Sequence, residues 1–122
     1  MTLYKLTAEL VKNTEEAVAR YEKMRELDLD PDFFEEVKPY TDDFIVRLNE
    51  WATQARTYIK EYHPKYFHEM QVLNIMDAME QFIVQSFYKK TSKKRFMDSS
   101  RSIHYSLSKL KRYLEEDGLH AE

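Results

Sequence analysis

The chain contains no cysteine, one glycine (Gly118) and three prolines (Pro31, Pro39, Pro64) in 122 residues. Each shortage excludes something. Without cysteine there is no disulfide, no thiolate nucleophile and no cysteine-based zinc site. Tight hairpins draw on glycine or Asn-Gly pairs, which are missing, so the composition argues against a β-rich fold. Long apolar runs are absent as well. Charged or polar residues interrupt each one, and Met1 to Lys5 lack the apolar core of a signal peptide. The expectation is a cytoplasmic protein with no membrane segment. A net charge of -3 gives no general attraction to nucleic acid.

What the chain does contain is apolar and aromatic side chains at helical spacing. With 43% hydrophobic and 14% aromatic residues it is no disordered tail. A chain of this length buries roughly two-thirds of its unfolded surface as one domain, here 1–122. The first helix is expected from Thr2 to Leu27, on a seam of Leu3, Leu6, Leu10, Thr14, Ala17, Tyr21 and Met24. Asp30-Pro31 then restarts a short helix at 31–38, with Asp30 as cap and Pro31 in the first helical position. Pro39 disfavours helical geometry at Lys38, so this connector should stop there. Thr41 with Asp42 and Asp43 signals a fresh start.

A second long helix is expected from Tyr40 to Tyr62, with Phe44, Leu48, Trp51, Ala55, Tyr58 and Tyr62 on one face and Trp51 as anchor. His63-Pro64 ends it. The third, from Lys65 to Lys90, carries apolar residues over a wide arc, including Val72, Leu73, Ala78, Phe82 and Val84. That width predicts a helix embedded among neighbours. Only Asn74, Asp77, Gln81 and Gln85 interrupt it, and this polar seam is read as an edge facing water. The fourth begins near Ser92, buries Phe96, Ile103, Leu107, Leu110 and Leu114, and reaches Gly118 at a left-handed C-cap. Four such helices joined by short loops predict an all-α, antiparallel up-down-up-down four-helix bundle with a short extra helix near 31–38.

Five local patterns follow in order from about residue 32 to 96. They are Asp32-Phe33-Phe34-Glu35 through Val37-Lys38-Pro39; Trp51; Pro64-Lys65-Tyr66 with His68; Gln85-Ser86-Phe87; and Lys93-Lys94-Arg95-Phe96. In these the chain resembles the YppE-like family of small helical proteins from Bacillus-type bacteria. The resemblance implies a compact bundle in a bacterial cytosol, and it supplies no activity or catalytic residue.

The residues offer little catalytic chemistry. Di-iron bundles need Glu-x-x-His on two helices, and Asp117-x-x-His120 is the nearest match. The topology gathers His63, His68 and His120 at one end, a speculative surface site for zinc or nickel. Histidines capping helix ends explain the same pattern more simply, so no cofactor is assigned. Ser106-x-x-Lys109 lacks the companion elements of serine–lysine hydrolases, and Asp98, Ser100 and His104 are not spaced as a triad.

The cluster Lys89, Lys90, Lys93, Lys94, Arg95 invites a nucleic-acid reading. The acidic junction from Glu26 to Asp43 lies at the same end, however, and partly compensates it. The expected function is therefore non-enzymatic protein–protein interaction, with Phe33, Phe34 and the basic cluster as the partner surface. One of the two phenylalanines should point inward and the other be partly exposed. Opposite charge on this end also allows homodimerisation. A small-ligand or metal-binding bundle is the alternative, and nucleic-acid binding comes third.

Overall fold

In the computed structural model, which describes residues 1–121, four long helices carry the chain: α1 (Leu3–Glu26), α2 (Lys38–Tyr62), α3 (Glu69–Gln85) and α4 (Lys93–Glu116). Their apolar residues recur every three or four positions. Leu6, Leu10, Ala17 and Tyr21 on α1 meet Phe44, Leu48 and Trp51 on α2, Val72, Met79 and Phe82 on α3, and Phe96, Leu107 and Leu110 on α4 in one core. Cross-chain bonds fix the directions. Trp51 donates to the Thr7 hydroxyl at 3.0 Å, and Tyr4 donates to Glu115 at 2.7 Å. Tyr21 donates to the Thr91 carbonyl. α1 is thus antiparallel to both α2 and α4. Thr14 meets Met79 and Arg20 meets Ser86, so α1 and α3 run parallel across the diagonal. This is the up-down-up-down bundle that the seams predict.

Both ends of α1 and α4 are closed by side-chain and backbone chemistry. Thr2 and Ser92 accept from Lys5 and Arg95 backbone N–H groups as N-caps. α4 ends with Gly118 at φ +73°, and the Leu119 N–H reaches the Leu114 carbonyl at 2.8 Å. α1 ends in the same six-to-one pattern, Leu29 N–H to Met24 carbonyl at 3.0 Å. Here Asp28 holds the left-handed position at φ 53°, where glycine is the usual occupant.

Three expectations need correction. The short extra helix near 31–38 is present, but Asp32 rather than Asp30 caps it and it does not stop at Pro39. A single π-helical turn, Phe33–Val37, runs directly into α2 at Lys38, and Pro39 lies in the first turn of α2. The wide turn bonds Val37 N–H back to the Asp32 carbonyl and Lys38 N–H to that of Phe33. Its five-residue reach moves the preceding carbonyls away from the proline ring, so Lys38 keeps helical geometry and the chain does not break. Second, α3 is shorter than 65–90 and is not embedded. Only Val72, Ile75, Met79, Phe82 and Ile83 are buried on it, while Leu73 and Ala78 are exposed. Asn74, Asp77 and Gln81 face water, as the edge reading of the seam requires. Third, Phe33 and Phe34 are both exposed, and Val37 fills the place at the core that one of them was expected to take.

Candidate protein-interaction end

Two short connections meet at one end of the bundle: the segment from Leu27 to Val37 and the turn from Ser86 to Ser92. They are tied together by α1. The Arg25 guanidinium donates to the Lys89 carbonyl and to the Tyr21 hydroxyl, both at 3.1 Å. Arg20 lies over the Tyr40 and Phe87 rings, at 4.6 and 4.3 Å, and donates to the Ser86 hydroxyl at 2.9 Å. Cations on ring faces and charge-assisted bonds of this kind hold a loop without burying it. The base of this end is therefore fixed.

Its outer layer is not covered. Phe33 is 48% exposed and Phe34 77% exposed, and the two rings meet edge to face at 5.3 Å. The other five phenylalanines of the chain are all buried. Leu27 and Leu29, 55% and 41% exposed, extend the apolar surface along the connector. Acids accompany it: Asp32 caps the π turn through the Glu35 N–H at 3.0 Å, and Glu35 and Glu36 are exposed beside it.

Of the basic cluster, Lys89 is consumed internally. Its ammonium contacts Asp28 at 2.8 Å and Asp30 at 3.5 Å. The hydrogen bond between them holds the Asp28 carboxyl below, and the Lys89 ammonium above, its ordinary range. Lys94 pairs with Asp98 at 3.3 Å within α4. Lys90, Lys93 and Arg95 are exposed and make no ion pair among the described residues. The structure thus places Phe33, Phe34 and the basic cluster at the same end, with positive and negative lobes side by side. Sequence reading placed Tyr21 on the α1 seam but overlooked the clamps Arg20 and Arg25, because they reach toward a turn that no periodicity locates. It also passed over Leu27 and Leu29, which break out of the α1 seam; that departure from period is a signal that could have found them.

At the opposite end the candidate metal ligands have structural duties. His63 takes the left-handed position that stops α2, φ 48°, with its N–H on the Ile59 carbonyl at 3.0 Å. His68 begins α3, and its backbone N–H donates to the Gln71 side chain at 2.6 Å. The His120 ring stands edge-on to Tyr4, centroids 6.1 Å apart, and Asp117 accepts from the Tyr58 hydroxyl at 2.7 Å. Among the described residues no three histidine or carboxylate groups gather as a cation site. A cleft of about 390 Å³ lies there, walled by Leu3, Tyr58, Tyr62, Leu114 and Leu119, with Glu61 its one charged group among the described residues. The aspartate and histidine of α4 are likewise engaged elsewhere. Asp98 binds Arg101 at 2.6 Å, and His104 lies between Glu15 at 3.7 Å and Ser108 at 3.4 Å.

The bundle recurs in other bacterial proteins. A crystal structure of YppE from Bacillus subtilis superposes with a TM-score of 0.89, at 28% identity and covering 95% of this chain and 94% of that one. A Staphylococcus aureus domain of unknown function does so at 0.82, with 25% identity over 90% of this chain and 93% of that one. In sequence, the chain is 31% identical to B. subtilis YppE, itself named an uncharacterised protein, over 90% of this chain and 89% of the relative. Residues 7–114 match the bacterial domain of unknown function DUF1798, and the chain belongs to that family. Among the described residues, no helix is long and apolar enough to cross a membrane.

Proposed function

We propose that the chain is a non-enzymatic interaction module of the bacterial cytosol that offers its connector end to a protein partner. One observation carries this reading: two adjacent phenylalanines stay in water while the chain buries the other five. Fully burying a phenylalanine gains about 1.5–3 kcal/mol. Val37, four residues on, shows that the same segment can reach the core. Aromatic side chains on a fixed base, beside charges of both signs, have the make-up of an interface centre with a polar rim. Arg20 and Arg25 hold the neighbouring turn and Tyr40 in place, which limits the ordering cost there on binding.

Affinity capture from native cells tests the reading. Wild type should retain a protein that Phe33→Ser/Phe34→Ser loses, with the helical circular-dichroism signal unchanged. Charge reversal at Lys93, Lys94 and Arg95 should weaken the same capture. Equal capture by wild type and the double serine variant would end the proposal.

A further inference from the structure

The charge arrangement at the connector end restricts what can dock there. On one side lie Phe33 and Phe34 with Glu35 and Glu36; on the other lie Lys90, Lys93 and Arg95 at the start of α4. Lys89 links the two sides through Asp28 and Asp30. A uniformly basic segment would satisfy the acidic lobe and be repelled by its neighbour. An acidic segment, or a nucleic acid, would meet the reverse conflict. A partner that suits this end carries both signs in complementary order.

The chain itself has that surface. A two-fold axis through the end sets the acidic lobe of one copy, with its phenylalanine pair, against the basic lobe of the other. Such self-complementarity is what an isologous contact requires. We infer that the partner taken at the connector end is a second copy of this chain. The inference rests on the interaction reading above and narrows it.

Opposed charge variants test it, using sedimentation equilibrium on the full chain. All four positions are exposed, so the fold is expected to survive, and helical circular dichroism checks that. Wild type should approach twice 14.8 kDa with rising concentration, and salt should weaken the association. Glu35→Lys/Glu36→Lys makes both lobes positive, and Lys93→Glu/Arg95→Glu makes both negative. Each variant alone should fall to 14.8 kDa, and an equal mixture should recover the doubled mass as a mixed dimer. A monomeric wild type, variants that pair as well as wild type, or a mixture that stays monomeric would each overturn the inference. None of these touches the broader reading, which fails if Phe33→Ser/Phe34→Ser leaves cellular capture intact.

Discussion

The two ends of the bundle are made from the same materials and finished differently. At the end holding the chain termini, two aromatic groups have their hydroxyls tied down: Tyr4 on Glu115, Tyr58 on Asp117, both at 2.7 Å. Tyr58 also stacks on Tyr62, and Leu119 folds back against the core behind Gly118. At the connector end the outermost aromatics are phenylalanines, which have no polar handle to bind a neighbouring acid. Their acids cap backbone or face water instead. Ring and carboxylate together therefore close one end, while at the other the same pairing leaves an apolar surface rimmed by charge. Exposure by itself is a poor guide to function; exposure of a group that has no reason to prefer water is a better one.

Substitutions can be ordered by how hard they strain that contrast. A change in the shared core should outweigh anything done at either end. Trp51→Ala removes a side chain with no exposure and leaves the Thr7 hydroxyl without its indole donor. A loss of about 3–5 kcal/mol by chemical denaturation is expected. At the closed end, Tyr58→Phe deletes the bond to Asp117 and should cost about 1 kcal/mol, because Asp117 regains water. The same variant has a pH signature. Burial, and then the bond to Asp117, push the Tyr58 hydroxyl well above the ordinary tyrosine value of 10.0. The folded chain keeps that proton where the unfolded chain releases it, so stability falls as pH rises past that value. Tyr58→Phe should flatten the fall, measured as denaturation midpoints between neutral and strongly alkaline buffer.

Smaller effects belong to the open end. Asp28→Gly relieves a left-handed non-glycine residue but removes one of the two carboxylates that hold Lys89. The two changes oppose each other, and a net shift within about 0.5 kcal/mol is expected, with faster amide exchange at Leu29 as the readout. The least is expected from Phe33→Ser/Phe34→Ser, whose stability should stay within about 0.5 kcal/mol of wild type. A larger loss would mean that the pair supports the fold and that the contrast between the ends is false.

How legible these features were in sequence depends on their range. The seams of α1, α2 and α4 were readable because apolar periodicity reports burial directly, and Gly118 announced its own backbone geometry. α3 misled because composition was read as burial. Its apolar residues cover a wide arc, yet in a four-membered bundle each helix meets its neighbours over only part of its circumference, and Leu73 and Ala78 fall outside that part. Pro39 misled for a related reason: its rule assumes an α-helical register, and the π turn ahead of it changes which carbonyl the ring meets. The meeting of the acidic and basic junctions followed from topology alone. That Lys89, rather than Lys93 or Arg95, makes the link depended on the path of a turn that carries no period.

The contrast between the ends is tested most directly by placing one photo-crosslinking amino acid, p-benzoylphenylalanine, at Phe34 or at Tyr66 in living cells. Both positions are exposed aromatics, 77% and 60%, so the probe replaces like with like at opposite ends of one fold. Illumination should yield a discrete protein adduct from position 34 and none from position 66. An adduct from position 66 alone, or from neither, would contradict the assignment of the connector end as the working surface.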